Sequence, residues 1–104
     1  MDVPKPHPLG EQSRVTVQIE REVPGGWEYT VLVQRDDQQQ LHQVRLGWLD
    51  HDFWSHGASA PSRVVQAVME YVLANRALPL PERFDAARVR RWLPLIDSEL
   101  PSLI

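Results

Sequence analysis

SRVTVQIEREVPGGWEYTVLVQR, residues 13–35, contains two runs in which apolar and polar side chains alternate. A period of two is typical of strands that bury one face. The predicted inward side chains are Val15, Val17, Ile19, Trp27, Tyr29, Val31 and Val33. Pro24, Gly25 and Gly26 lie between the two runs and suit a tight turn. The segment therefore predicts a β-hairpin.

A third alternating run, LHQVRLGW at residues 41–48, follows the polar stretch DDQQQ. Its predicted inward side chains are His42, Val44, Leu46 and Trp48. Three consecutive strands joined by short turns predict an antiparallel meander. Because only one face of this sheet is apolar, the sheet needs a cover on one side only.

The predicted cover is a helix near residues 61–75, whose apolar stripe has spacings of three and four. The stripe consists of Val64, Val65, Val68, Tyr71 and Val72. Asp85 suits the N-cap of a second, shorter helix near residues 86–93, and an apolar tail follows it. We therefore expect an α+β fold: a three-stranded antiparallel β-meander with one face covered by a C-terminal helix, then a second short helix and an apolar tail.

The length of 104 residues suits one domain, which we expect to span residues 13–104. Residues 1–12 contain three spaced prolines and predict an extended proline-rich arm. We expect no signal peptide and no contact with a membrane, because no segment has the required apolar length. The chain has no cysteine, which excludes disulfides and thiolate metal sites and favours a cytoplasmic location.

The formal net charge of −3 does not provide the broad positive field that binds nucleic acid or anionic membranes without specificity. Glycine-rich phosphate loops of the GxxxxGK[ST] or GxGxxG type are absent, and no serine lies in a GxSxG motif. The sequence therefore favours a protein that is not an enzyme, and no cofactor is predicted.

WLDHDFWSHG, residues 48–57, is the segment richest in chemically active side chains. One hypothesis is a metal or acid-base site built from Asp50, His51, Asp52 and His56. On a helix, however, His51 and His56 point about 140° apart and do not bind one metal ion together. The favoured interpretation is a packed corner, in which Asp50 caps a short helical turn, Phe53 and Trp54 pack inward, and Gly57 ends the turn.

Arginines cluster on the predicted second helix, at Arg88, Arg90 and Arg91. One hypothesis is that this face contacts the phosphates of a nucleic acid or the carboxylates of a partner. The spacing does not fit a helix-turn-helix, because the irregular segment LPLPERFD precedes this helix. Nucleic-acid binding is therefore disfavoured, and the favoured interpretation is a solvated arginine face.

The outward face of the sheet is predicted to be polar and without aromatic side chains, which argues against a platform for stacking RNA bases. Its exceptions, Leu32 and Leu41, are candidate partner-binding residues together with Arg45, Arg88 and Arg91. The exposed edges of a three-stranded sheet favour pairing with a second copy or another protein. We therefore expect a small soluble interaction or regulatory module that acts through a sheet edge or as a dimer; the alternatives are a nucleic-acid-binding protein and a small metal-dependent protein.

Overall fold

The computed structural model describes residues 13–75 and 79–104, so the predicted arm at residues 1–12 lies outside the described residues. A single sheet has the order β1-β2-β3-β4. Its strands are β1 (Ser13–Val23), β2 (Gly26–Arg35), β3 (Gln38–Gly47) and β4 (Arg83–Asp85). The first three strands form the predicted antiparallel meander, and β4 pairs in parallel with β3. The short β4 was not predicted, because three residues are too few to show a period.

The turn between β1 and β2 depends on two glycines. Gly25 has a φ of +78°, a conformation that side chains with a Cβ rarely adopt. Gly26 is paired with Gly47, and a Cβ added at Gly26 would lie 2.2 Å from the carbonyl oxygen of Leu46. The close approach of β2 and β3 at this end of the sheet therefore requires glycine at position 26.

A β-bulge changes the faces of β1. Val17 is opposite Val31 while Ile19 is opposite Thr30, so Gln18 is an extra residue in β1. Ile19 consequently lies on the outer face and is 59% exposed. The prediction that Ile19 faces inward is wrong, because the alternation in the sequence continues through the bulge while the pairing does not. On the inner face, the hydroxyl of Tyr29 donates to Glu20 over 2.7 Å.

The helices are α1 (Trp48–Ser55), α2 (Pro61–Asn75), α3 (Val89–Trp92) and α4 (Ile96–Glu99), with 3-10 turns at Ala86–Arg88 and Leu100–Leu103. The bounds of α2 agree with the predicted covering helix, and all five residues of its predicted stripe are buried. The predicted short helix is present as the first 3-10 turn followed by α3. Asp85 caps it, since its Oδ1 accepts from the backbone N–H of Ala87 over 2.9 Å.

The core lies between the inner face of the sheet and α2. Its largest fully buried side chains are Trp54, Tyr29, Leu46, Met69, Ile96 and Leu100. Because Ile96 and Leu100 belong to this set, the apolar tail docks on the domain as expected, although Leu103 is half exposed. None of the helices within the described residues combines the length and apolar character of a membrane span.

Candidate functional site

Helix α1 begins directly after β3 and lies against the turn between β1 and β2. The backbone N–H of Trp48 donates to the carbonyl oxygen of Gly25 over 2.9 Å. The predicted cap at Asp50 is wrong: Gly47 precedes the helix, no side chain caps it, and Asp50 lies in the first turn. Trp48 was also expected to face inward from a strand, but it starts α1 and is largely exposed. The strand ends one residue earlier than the alternation indicates.

One side of α1 is packed as predicted for a corner. Trp54 is fully buried, whereas Phe53, which was also expected inside, is half exposed. His56, the C-cap of the helix, has a φ of +53°, and Gly57 follows with a φ of +73°. Two consecutive left-handed residues therefore reverse the chain before α2.

The histidines of this segment do not converge on a metal position. The Nε2 atom of His51 lies 2.6 Å from the carbonyl oxygen of Ser59, which only accepts, so Nε2 carries the proton and is not free for a metal. The His51 ring also packs edge-on against the Trp27 ring, with 5.3 Å between the ring centroids. Across residues 13–75 and 79–104, no three His, Asp or Glu side chains are grouped so as to hold a metal ion.

Asp50 is used in an ion-pair cluster that the sequence did not indicate. Its Oδ1 lies 2.9 Å from Nη1 of Arg90 on α3. The Nε of the same arginine donates to both carboxylate oxygens of Asp97 on α4, over 2.9 and 3.1 Å. The guanidinium carbon lies 4.7 Å from the ring centroid of Trp54 and 5.7 Å from that of Phe53. Arg90 thus joins α1, α3 and α4 and is not part of a solvated face.

The charge of Arg90 is stabilised where it lies. Burial lowers its pKa, but hydrogen bonds to Asp97 and Asp50 and the charges of those carboxylates outweigh burial and raise the pKa above its ordinary value. Because an arginine guanidinium is not deprotonated in proteins, Arg90 remains a cation. The cluster therefore holds α1, α3 and α4 together through a side chain that stays charged, and it is not a proton-transfer site.

The other side of α1 is exposed and apolar. Trp48, Leu49 and Phe53, which we call the α1 apolar face, have 60%, 87% and 52% of their surface exposed. Leu49 and Phe53 are four residues apart and lie on one side of the helix. The exposed carboxylate of Asp52 lies on the same helix, beside this face. A large aromatic side chain left in water at such an exposure is typical of a contact surface.

The outer face of the sheet carries a row of alternating charges across all four strands, which we call the charged row. The pairing of the strands places Arg21, Glu28, Arg45 and Asp85 side by side. Glu28 forms an ion pair with Arg21, and Asp85 forms one with Arg45 over 3.0 Å. Arg45 also donates to the carbonyl oxygen of Pro24 over 2.9 Å.

The leucines of the outer face are direct neighbours. Leu32 and Leu41 are paired between β2 and β3, and Leu41 is 51% exposed. The bulge adds Ile19, which is opposite Thr30 and so lies diagonally next to Leu32. The predicted candidates Leu32, Leu41 and Arg45 therefore share one surface, and Ile19 is a member that the alternation assigned to the wrong face.

The remaining candidates, Arg88 and Arg91, lie outside that sheet. Both are exposed on the turn and helix after β4. Within the described residues neither side chain forms a hydrogen bond or an ion pair. Because Arg90 is held by Asp50 and Asp97, the predicted cluster of three arginines is reduced to two exposed cations.

A cleft of about 200 Å³ lies beside the part of β3 that β4 leaves uncovered. Its walls include Val33, Arg35, His42 and Leu80. The Nδ1 atom of His42 lies 2.7 Å from the carbonyl oxygen of Pro81 and therefore carries a proton there. This contact holds the segment before β4 against β3, so we assign His42 a structural role.

The edges of the sheet differ from those of a plain meander. Within the described residues no further strand lies beside β1, although the side-chain amide of Gln66 on α2 donates to the carbonyl oxygen of Val15 over 2.9 Å. The bulge at Gln18 divides this edge into two segments. Odd-numbered residues face inward before the bulge, and even-numbered residues face inward after it. At the other side, β4 covers β3 only from Gln43 to Arg45.

Comparison with protein-family models, with curated proteins and with solved structures finds no match for this chain.

Proposed function

We propose that the protein is a non-enzymatic interaction module that binds a partner protein through the α1 apolar face. The observation that carries this proposal is the exposure of Trp48, Leu49 and Phe53 on one short helix. Tryptophan and other aromatic side chains provide much of the energy of protein interfaces because they bury a large area at a small cost in conformational entropy. We assign the module to the cytoplasm, which its lack of cysteine supports.

The face is well suited to binding because its scaffold is rigid. The opposite side of α1 is held by Trp54, which is buried and donates to Asp97, and by His51, which contacts Ser59. A helix fixed in this way loses little conformational freedom when a partner covers its exposed side. The partner therefore meets side chains that already have a defined position.

The charges near the α1 apolar face select the chemistry of the partner. Asp52 on the helix is an exposed carboxylate, whereas Asp50 is neutralised by Arg90. We infer that the partner presents apolar side chains flanked by Lys or Arg. Such charge complementarity increases the rate of association and discriminates against acidic partners.

The edge of β1 is a weaker candidate for the partner site. An added strand needs an unbroken row of backbone donors and acceptors. The bulge at Gln18 interrupts that row near its middle and leaves a short segment on each side. The α1 apolar face has no such interruption, so we assign partner binding to the helix.

The test is selection of a random peptide library, displayed on phage, against the immobilised full chain. We expect enriched peptides to carry an aromatic or aliphatic residue next to Lys or Arg. Their binding should be lost in a Trp48→Ala/Leu49→Ala variant and weakened by Asp52→Lys. A Leu41→Ala variant, which removes an exposed leucine from the sheet, is the matched control and should bind as the wild type does.

Thermal unfolding of each variant shows whether it is folded before binding is compared. Substitutions at exposed positions change stability little, so these variants should remain folded. Equal binding of the enriched peptides to the wild type and to the Trp48→Ala/Leu49→Ala variant would contradict the proposal, and so would a selection that enriches no peptide.

A further inference from the structure

The charges on the outer face of the sheet alternate in sign from strand to strand. A polar face exposed only to water does not require such a regular order. Along the charged row the signs are plus, minus, plus, minus, from Arg21 on β1 to Asp85 on β4. Reversing the order of the strands turns this sequence of signs into its complement. A second copy that is turned over in this way would therefore oppose every charge with its opposite.

The second copy opposes the charges in this way when it is related to the first by a rotation of 180° about an axis parallel to the strands and midway between β2 and β3. This rotation places β1 over β4 of the second copy and β2 over β3, while each row of residues keeps its position along the strands. In the charged row, Arg21 would face the second copy's Asp85, and Glu28 would face its Arg45. All four charges of each copy are then complemented.

The same operation brings the apolar residues together. Leu32 and Leu41 are paired across β2 and β3, so each would face the other leucine of the second copy, and the four would form an apolar centre. In the neighbouring row Ile19 would face Arg83, whose guanidinium lies 3.7 Å from Glu28 of its own copy, and Thr30 would face Gln43. No like charges are opposed in these rows.

We propose that the outer face of the sheet is a homodimer interface, in which two copies pack face to face about a twofold axis parallel to the strands. Face-to-face packing of two sheets is an established arrangement, with strand directions about 30° apart. A contact related by a twofold axis uses the same surface patch on both copies, as self-complementarity requires. This surface is distinct from the α1 apolar face and does not depend on it.

The other simple arrangement opposes like charges. A twofold axis perpendicular to the strands and through the charged row would place each strand over its own equivalent. Arg21 would then face Arg21, and Glu28 would face Glu28. Like charges directly opposed at an interface are costly, so this arrangement is disfavoured.

The size of the face predicts a weak dimer. Four strands spaced about 4.8 Å apart give a width of only about 15–20 Å. The buried area is therefore at the low end of stable protein interfaces, and we expect dissociation in the micromolar range. Sedimentation equilibrium of the full chain at loading concentrations from about 1 to about 500 µM covers this range.

The decisive experiment uses two charge reversals, Glu28→Arg and Arg45→Glu. In a dimer of either variant alone, two pairs of like charges are opposed, so dimerisation should weaken by about tenfold or more. In a mixture, the Glu28→Arg copy opposes the Arg45→Glu copy with opposite charges at both places. The two variants should therefore form a one-to-one heterodimer, although neither forms a homodimer.

This result does not follow from changes in folding, because mixing two variants does not repair a fold. Circular dichroism of each variant confirms that its sheet is intact. Leu41→Glu should also prevent dimerisation, since it places charge at the apolar centre. Leu95→Glu changes another exposed leucine, which lies outside the sheet, and should leave the dimer unchanged.

Three outcomes would overturn the proposal. A wild type that is monomeric over the whole concentration range excludes the dimer. A mixture of Glu28→Arg and Arg45→Glu that remains monomeric excludes this symmetry. Loss of the dimer in Trp48→Ala/Leu49→Ala, with no effect of Leu41→Glu, would move the contact to the α1 apolar face.

Discussion

The indole Nε1 of Trp54 donates to Oδ1 of Asp97 over 2.8 Å, and the same carboxylate accepts two hydrogen bonds from Arg90. One partly exposed carboxylate thus accepts the hydrogen bond of a fully buried indole and also forms one of the two ion pairs of Arg90. We expect Asp97→Ala to lower the free energy of unfolding by about 1–3 kcal/mol, because it leaves the buried N–H of Trp54 without its partner.

The matched control is Asp52→Ala, which removes an exposed carboxylate of α1 that lies outside this cluster. Its effect should stay within about 0.5 kcal/mol. Urea unfolding followed by tryptophan fluorescence measures both variants. Equal stability of Asp97→Ala and Asp52→Ala would show that the hydrogen bond to Trp54 contributes nothing.

Alanine should be far more damaging at Gly26 than at Gly57. A Cβ at Gly26 would lie 2.2 Å from the backbone oxygen of Leu46, so β2 and β3 would have to separate, at about 3 kcal/mol or more. At Gly57 no heavy atom lies within 4 Å of the added Cβ, and only the positive φ opposes the change, at about 1 kcal/mol. Thermal unfolding of Gly26→Ala and Gly57→Ala compares the two effects, and similar midpoints would refute the clash.

Stability should fall in alkaline solution through Tyr71. Burial, a hydrogen bond to Glu99 and the charge of that carboxylate raise the pKa of Tyr71 from 10.0 to about 12. Below pH 10 the hydroxyl is neutral in both states, so its contribution to stability is fully present. Between pH 10 and 12 the unfolded chain loses the proton first, and stability decreases as pH rises. Burial likewise raises the pKa of Tyr29.

The measurement is the urea midpoint at about pH 9 and about pH 11 for the wild type and for Tyr71→Phe. The decrease should be smaller in Tyr71→Phe, where only Tyr29 still contributes in this way. The chain has a single lysine, Lys5, so few other groups titrate in this interval. An equal decrease in both proteins would show that Tyr71 does not cause it.

Deletion of Gln18 should make the protein associate with itself through the outer edge of β1. Without the extra residue, Val17 and Ile19 become consecutive, and the edge beyond Val15, whose carbonyl oxygen accepts from Gln66, gains an unbroken row of backbone donors and acceptors. We expect species larger than a dimer in light scattering at high concentration. Gln18→Ala keeps the bulge and is the control; if the deletion variant is no larger than this control, the bulge does not protect the edge.

The long regular elements were predictable because their patterns are local. The alternation along the strands and the stripe of α2 each repeat several times within one element, and both agree with the structure except beyond the bulge in β1. The α+β fold with its meander and covering helix is therefore confirmed. Asp85 was also recognisable as a cap, since capping needs only the two residues that follow.

The failures arise where the structure depends on distant residues. Gln18 bulges because of its pairing with β2, which leaves no mark in the alternation of β1. Arg90 was assigned to a solvated face because Asp50, one of its partners, is 40 positions away. Neither proposed surface could be predicted from the sequence. The charged row is recognised only when the four strands are aligned, and the α1 apolar face is recognised only when Trp48 is known to begin a helix.

The burial of Ile96 and Leu100 also has a consequence for the protein's synthesis. Both side chains are fully buried, and Leu100 lies in a 3-10 turn that contacts α2. The ribosome adds both residues only after it has synthesised the meander and α2. A nascent chain that stops before residue 96 therefore exposes apolar surface that the whole domain covers, which makes interrupted translation products substrates for chaperones and proteases.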